Sequence, residues 1–260
     1  MPWMKARQIR PFRPVAPPPK PGVHTDGGIG VRLWATSPRT TRVERRRRTV
    51  AYARIVNPDW AAALERVAPD LVAAWRGIDA GRFLSVRREV RRRAGPGSVE
   101  RTLAQLDGTA NALIERIERL ADEALELSGG EGGWNVAETV GHVASARAGL
   151  VFAAGLAASG RWPADAPTVV PGVPGPPAAD RDELVRTLER SQRIIVRSAV
   201  RIAGHETDPC PLDHPLVGKL RCGEWLFFAG VHDLMHIEQL EAIAERLAGR
   251  ERAPGDDPAR

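Results

Sequence analysis

The chain contains 260 residues, of which 43% are hydrophobic and 27% are charged. This composition is ordinary for a globular protein and excludes a collagen-like or fully disordered chain. The two cysteines, Cys210 and Cys222, are too few for a disulfide scaffold and suit a reducing compartment. Because the sequence shows neither a secretory signal nor the roughly 18 apolar residues of a membrane span, we expect a cytoplasmic protein without membrane contact.

The net charge of +6 is distributed unevenly along the chain. Residues 1–95 contain 21 Lys and Arg against 7 Asp and Glu, whereas residues 96–260 contain 17 against 25. The first segment is rich in proline and carries four consecutive arginines at 45–48, a combination that favours extended, solvated chain. We therefore predict that residues 1–95 form a basic extension that is mostly disordered, with short helices possible between 59 and 93.

Three interpretations of this basic extension stay open. It could attach the protein to a polyanion through its charge, it could be a solvated tail without a partner, or it could reflect a translation start assigned too far upstream. The segment contains no recognised base-reading or aromatic stacking module, so nucleic acid is not the partner that we expect.

Four helices are predicted in the remainder of the chain. Their apolar residues recur at steps of three and four, which is the pattern of a helix with one buried face. The predicted helices cover residues 98–127, 135–159, 180–202 and 224–248. Capping boxes mark the starts of the second and third, because Asn135 and Asp180 are each followed three residues later by a glutamate.

The predicted fold class is all-α. Four helices of this length with one apolar face each make a four-helix bundle, which we assign to residues 96–250. The stretch 204–223 contains three prolines and no strand-like alternation, so we expect it to be irregular. Residues 251–260 are expected to be a disordered tail.

Polar residues interrupt the apolar face of the fourth helix. At 100° per residue, His232, His236 and Gln239 lie on the same face as Trp225 and Phe228. Two imidazoles and an amide are costly on a buried face unless something satisfies them. Histidines four residues apart lie one helical turn from each other, so both rings can bind one metal ion.

The second helix offers a third ligand for such an ion. His142 lies on its apolar stripe, and three neutral imidazoles from two helices would leave one position of a divalent ion open, as in catalytic sites. Glu138, one turn before His142, and Gln239 could hold the rings or a bound water. Two simpler interpretations compete: the histidines could be hydrogen-bonded core residues, and Glu138 is fully explained by its capping box. A second site made of Cys210, Cys222, His205 and His214 lacks a Cys-x2-Cys pair and is not expected.

Two segments of the sequence resemble the DinB-like family, the DNA-damage-inducible superfamily. The first is Trp134-Asn-Val-Ala-Glu138-Thr-Val-Gly-His142-Val. The second contains His214-Pro-Leu-Val-Gly218-Lys-Leu, then Glu224-Trp225-Leu, then His232-Asp-Leu-Met-His236-Ile-Glu-Gln239. The resemblance covers residues 98–249 and none of the basic extension.

The resemblance implies a four-helix bundle with a proline-rich crossover, often a homodimer, and a metal triad that falls here on His142, His232 and His236. Relatives bind zinc, nickel, manganese or iron, and the sequence does not choose among these divalent metals. Some relatives are thought to transfer low-molecular-weight thiols to electrophiles. The family name refers to regulation by DNA damage and does not imply DNA binding.

These observations lead to three functional hypotheses. In the first, the protein is a metal-dependent thiol S-transferase or hydrolase, and a divalent metal activates a thiol or water for attack on a small electrophile. The pocket would be lined by Trp134, Trp225 and Phe228. In the second, the bundle binds a metal or ligand without catalysis. In the third, the basic extension binds a polyanion.

Overall fold

The structure, a computed structural model, describes residues 59–78, 83–128, 133–170, 172–215 and 217–252. Seven α-helices and one antiparallel hairpin lie in these ranges. In chain order they are α1 (Asp59–Glu65), α2 (Pro69–Arg76), α3 (Phe83–Arg93), α4 (Val99–Arg119), α5 (Val136–Ala158), α6 (Arg181–Ile202), β1 (Pro209–His214), β2 (Gly218–Arg221) and α7 (Cys222–Arg252). Residues 1–58 and 253–260, which include most of the predicted basic extension and tail, lie outside the described ranges.

The four long helices α4, α5, α6 and α7 form the predicted bundle. Helices α4 and α5 each pack against both α6 and α7, so α4 and α5 lie diagonally across the bundle. Large apolar side chains with no exposed surface fill the centre, among them Leu113, Leu188 and Ile195. Gly155 of α5 allows close approach of α6, because a Cβ there would lie 3.2 Å from the Cβ of Ser198. The helical fold class is therefore confirmed.

The predicted helix starts of α5 and α6 are observed as side-chain caps. The Asn135 side chain accepts from the backbone N–H of Glu138, and the Glu138 carboxylate accepts from the backbone N–H of Asn135, which completes the capping box. Asp180 accepts from the backbone N–H of Glu183. These caps satisfy backbone donors that have no partner within the first turn of a helix.

Helix α4 ends earlier than its apolar pattern predicts. The pattern continues to Leu127, but the α-helix stops at Arg119 and a short 3₁₀ helix (Asp122–Glu126) follows. The carbonyl oxygen of Leu120 accepts a hydrogen bond from Arg181, whose guanidinium also pairs with Asp122 at 2.7 Å. Arg181 at the start of α6 thus holds the chain at the point where it leaves the axis of α4 and enters the 3₁₀ helix.

The stretch 204–223, predicted to be irregular, contains the β1–β2 hairpin. Asp213 pairs with Lys219 and His214 with Gly218, while Cys210 and Leu212 are buried. The two strands are short, and among the described residues the outer edge of β1 bonds the segment 168–170 only through Asp213. Prolines are compatible with such edge positions, so the prolines that argued against a strand do not prevent this one.

The buried core extends N-terminally beyond the predicted boundary at residue 96. Three short helices, α1, α2 and α3, lie between 59 and 93, where the sequence left short helices possible, and α2 and α3 pack against α7. Leu71 and Val72 of α2 have no exposed surface, and Trp60 of α1 is 6% exposed. Gly230 of α7 accommodates Leu71, because a Cβ at that glycine would lie 2.7 Å from the Cδ2 atom of Leu71. The apolar pattern of α1 and α2 is weak in the sequence because the helices are short and Pro69 separates them, although their large apolar side chains are buried.

Helix α5 is long and apolar enough to cross a membrane by length and composition. In the structure it packs against α6 and α7, and its Arg147 side chain is fully buried in an ion pair. We therefore interpret α5 as a core helix of the bundle.

Candidate metal centre

Three imidazoles from two helices converge inside the bundle. The ring of His142 on α5 lies 5.3 Å from each of the rings of His232 and His236 on α7, whose own centroids are 4.5 Å apart. One ligand atom from each residue lies within 4.8 Å of the others. His232 and His236 are buried, and His142 is half-buried at the edge. The predicted convergence of residues 90 and more positions apart is therefore observed.

Hydrogen bonds fix which nitrogen two of the rings present. Nδ1 of His142 donates to the carbonyl oxygen of Val173 at 2.8 Å, and Nδ1 of His236 donates to Oε1 of Gln239 at 2.7 Å. A neutral imidazole that carries its proton on Nδ1 has a free lone pair on Nε2. Both rings thus present an Nε2 lone pair, which is how histidine ligands are usually held.

The buried pair on α7 fits a bound cation. Nε2 of His232 lies 3.2 Å from Nε2 of His236. Metal–nitrogen bonds of about 2.1 Å hold neighbouring ligand atoms about 3.0–3.4 Å apart. A shared proton would also fit this distance, but the third imidazole favours a cation. Nδ1 of His232, the other nitrogen of that ring, is buried and has no hydrogen-bond partner within the described ranges, and an ion held at Nε2 would leave it unpaired.

Burial keeps these imidazoles in the form that binds metals. Burial is the largest cause that lowers the pKa of His236 to about 4, against the opposing effect of the hydrogen bond that the ring donates to Gln239. The pKa of His232 lies well below its usual range for the same first reason, with His236 as the next contributor. Both rings are therefore neutral at physiological pH, with lone pairs available for an ion.

Aromatic side chains line the site. Trp134 lies against His142, with ring centroids 4.9 Å apart, and Phe228 lies 6.1 Å from His232. Trp225 packs behind Phe228 at 5.8 Å. Two of the three predicted wall residues thus contact the histidines directly, and Trp225 supports the wall from behind.

Comparison with known protein families assigns the chain on independent grounds. A sequence model described as the DinB superfamily matches residues 105–240. The chain belongs to the DinB superfamily. No curated protein and no solved structure matches it.

The DinB superfamily is a helical, metal-binding family. The matched range contains all three histidines, Gln239 and the aromatic wall. It begins within α4, so α1, α2 and α3 lie outside it.

The two residues predicted to support the histidines have different positions in the DinB bundle. Gln239 bonds His236, as described above. The Glu138 side chain instead caps α5 through the backbone N–H of Asn135, which agrees with its capping interpretation. Its backbone carbonyl also accepts from the N–H of Gly175, so Glu138 contributes to the crossover loop.

Sequence reasoning did not place His214 at this site. The structure positions its ring 5.5 Å from Phe228 and 6.4 Å from Trp225, at the end of β1. Burial lowers the pKa of His214, and the charge that His142 can carry lowers it further. The sequence feature that could have indicated this position is that His214 begins the second segment that resembles the DinB-like family. The strand that carries His214 toward the aromatic wall belongs to the unpredicted hairpin.

The second site considered from sequence is not assembled. Cys210 and Cys222 are buried free thiols that contact each other, and His205 pairs with Asp208 at the surface. Within the described ranges the only cluster of three possible ligands is His142, His232 and His236.

A buried ion pair beneath the histidines was also missed. Arg147 of α5 donates to Asp233 of α7 at 3.1 Å, and neither side chain has exposed surface. The guanidinium also donates to Ser191 and Gln192 of α6 and to the Leu106 carbonyl of α4, so all four bundle helices meet there. Because Asp233 adjoins His232, this network holds the part of α7 that carries His232 and His236.

Proposed function

We propose that this protein binds one divalent metal ion through His142, His232 and His236. The observation that carries the proposal is the convergence of three imidazoles inside the bundle, two of them oriented by hydrogen bonds at Nδ1. The 3.2 Å separation between Nε2 of His232 and Nε2 of His236, which suits two ligands of one ion, also supports it. The donor set suits zinc, nickel, manganese or iron, and imidazole does not choose among them.

We propose further that the site is catalytic, as a thiol S-transferase or hydrolase acting on a small electrophile. When bound, the ion would lower the pKa of a thiol or water at its open position. The chain's own residues would orient the ligand rings through Val173 and Gln239. Trp134 and Phe228 would exclude water and pack against an apolar part of the substrate. The half-buried His142 marks the side from which a substrate would enter.

Metal analysis of the purified full chain tests the binding proposal. We expect about one equivalent of a divalent metal in the wild type and its loss in His232→Ala. His205→Ala is the matched control, because His205 is exposed and pairs with Asp208 away from the site. Less than a tenth of an equivalent in the wild type after metal supplementation would overturn the proposal, as would full retention in His232→Ala.

The catalytic part is tested separately. The metal-loaded protein is incubated with bacillithiol-, mycothiol- and glutathione-type donors and a reactive aryl halide, and the thioether product is quantified; ester hydrolysis is assayed in parallel. We expect product formation that is lost on chelation and in His236→Ala. Metal binding without turnover of any donor or ester would favour the alternative, a non-catalytic metal-binding bundle.

The homodimer and the cytoplasmic location stay predictions. Light scattering coupled to size-exclusion chromatography measures the first, and cell fractionation the second. Binding of a polyanion through the basic extension is measured by the salt dependence of DNA retention.

A further inference from the structure

The proline-rich crossover between α5 and α6 touches α5 through two glycines. A Cβ added to Gly141 would lie 2.8 Å from the Cα of Gly175 and 3.1 Å from Pro176. A Cβ added to Gly175 would lie 2.5 Å from the Cα of Gly141 and 3.0 Å from the carbonyl oxygen of Glu138. The two distances to a Cα atom, 2.8 and 2.5 Å, are shorter than a Cβ atom tolerates against backbone, so this contact needs glycine at both positions.

Backbone hydrogen bonds hold the same segment on α5. The N–H of Gly175 donates to the carbonyl oxygen of Glu138 at 2.9 Å, and the side chain of Asn135 donates to the carbonyl of Pro177 at 2.9 Å. Apolar burial contributes little, because the side chain of Val173 is 53% exposed. The position of the segment 173–177 therefore depends on the fit of Gly175 against Gly141.

This fit acts on a proposed metal ligand. Gly141 directly precedes His142, and two residues before Gly175 the carbonyl of Val173 accepts the Nδ1 proton of His142 at 2.8 Å. That hydrogen bond selects the tautomer whose Nε2 lone pair faces the other histidines, and it restrains the rotation of the ring. Partners of this kind typically change metal affinity by about 10–100-fold.

We propose that the Gly141–Gly175 contact is a positioning device for His142, which makes the crossover segment 173–177 part of the metal site. The inference rests on the proposed metal binding and extends it to two glycines that touch no ligand atom. A side chain at either glycine pushes the segment away from α5 and removes the Val173 carbonyl from His142. His142 then loses its fixed tautomer and its orientation.

Gly141→Ala tests the device, and Gly149→Ala is its matched control. Gly149 lies on the same helix, but a Cβ there meets nothing within 4 Å, so the change in helix propensity is the same without the clash. We expect Zn²⁺ affinity, measured by competition with a chromophoric chelator, to fall by about 10-fold or more in Gly141→Ala. We expect it to stay within about twofold of the wild type in Gly149→Ala. Equal affinities in the two variants would overturn the inference.

A second readout needs no metal. Long-range ¹H–¹⁵N spectra of the metal-free protein report the tautomer of each histidine, and we expect the Nδ1–H form of His142 in the wild type and in Gly149→Ala. Gly141→Ala should give a mixture of tautomers; an unchanged Nδ1–H form would contradict the device. If Gly141→Ala does not fold, Gly175→Ala makes the same test from the loop side without altering a core helix. A wild type that binds none of Zn²⁺, Ni²⁺, Mn²⁺ and Fe²⁺ refutes the proposed function, whereas a wild type that binds Zn²⁺ and a Gly141→Ala variant that binds it equally refute the device alone.

Discussion

The buried Arg147–Asp233 pair gives the sharpest test of how the bundle is held together. Oδ2 of Asp233 accepts from Arg147 at 3.1 Å and from Thr109 at 2.7 Å, with no exposure of either charged side chain. Asp233→Val leaves the guanidinium buried with neutral partners only. Breaking a buried pair in this way costs about 3–5 kcal/mol. For a domain of this size, such a loss corresponds to a fall of about 10 °C in Tm.

The double variant Arg147→Met/Asp233→Val separates the interaction energy of the two charges from the cost of burying each of them alone. Arg147→Met alone leaves the Asp233 carboxyl buried, where burial already raises its pKa although Arg147 opposes that shift. In Arg147→Met/Asp233→Val no charge remains, so the double variant should be more stable than either single variant. The coupling energy should be at least about 2 kcal/mol, at the upper end of values for contacting residues.

Urea denaturation followed by far-UV circular dichroism measures these differences. The buffer contains a chelator, because a bound metal would add its own stabilisation. A double variant that loses the sum of the two single losses would show that the charges act independently. Single losses under about 1 kcal/mol would show that the pair is hydrated in solution; either result refutes the reasoning.

Three further predictions follow from contacts outside the metal site. Gly230→Ala should lower the free energy of unfolding by about 1–3 kcal/mol because the added methyl group collides with Leu71. Adding Leu71→Ala to the same chain should relieve the collision, so the double variant should lose less stability than the sum of the two single variants; losses that simply add would contradict this. The pKa of Glu89 is held below its usual range, chiefly by the hydrogen bond from Arg93 and against the effect of burial. The ionised carboxylate therefore stabilises the fold fully above the unfolded-state pKa near 4.5. This contribution disappears as the pH falls through the lower folded-state pKa. The stability gap between wild type and Glu89→Gln, about 1.5–3 kcal/mol at pH 7, should therefore shrink toward pH 3 in denaturant titrations; a gap independent of pH would be the contrary result. The Cys222 thiol, whose pKa is raised first by its contact with the other cysteine and then by burial, should react with iodoacetamide only after unfolding, and rapid labelling of the native protein would show that it is accessible.

The sequence by itself determined the helices of the bundle and the pair of histidines on α7 that we propose as metal ligands. Both depend on interactions within one or two helical turns: apolar periodicity sets the buried face, a cap sets the first turn, and a spacing of four residues places His232 beside His236. Such local rules hold wherever the helix lies, so they could be read before any packing was known. The role of Glu138 as a cap belongs to the same class.

The position of His142, the third proposed ligand, was determined partly by the sequence and partly by the tertiary structure. His142 was on the correct stripe of the second helix, but its meeting with α7 depends on how two backbones pack across the bundle. The family motif supplied that pairing before the structure did. Its orientation came from the Val173 carbonyl, a backbone atom whose position leaves no pattern in side-chain types.

Only the tertiary structure decided the remaining features. These features are the packing of α2 against Gly230, the early end of α4, the Arg147–Asp233 pair and the hairpin that carries His214. The first three join segments that are separated by tens of residues, whereas the hairpin joins two neighbouring strands. A short helix or a single buried arginine looks in the sequence like a surface element, because its partner lies elsewhere in the chain. Its burial becomes favourable only when packing brings that partner within contact distance. An unpaired charge is destabilised by leaving water, and an apolar face leaves water only once a partner covers it.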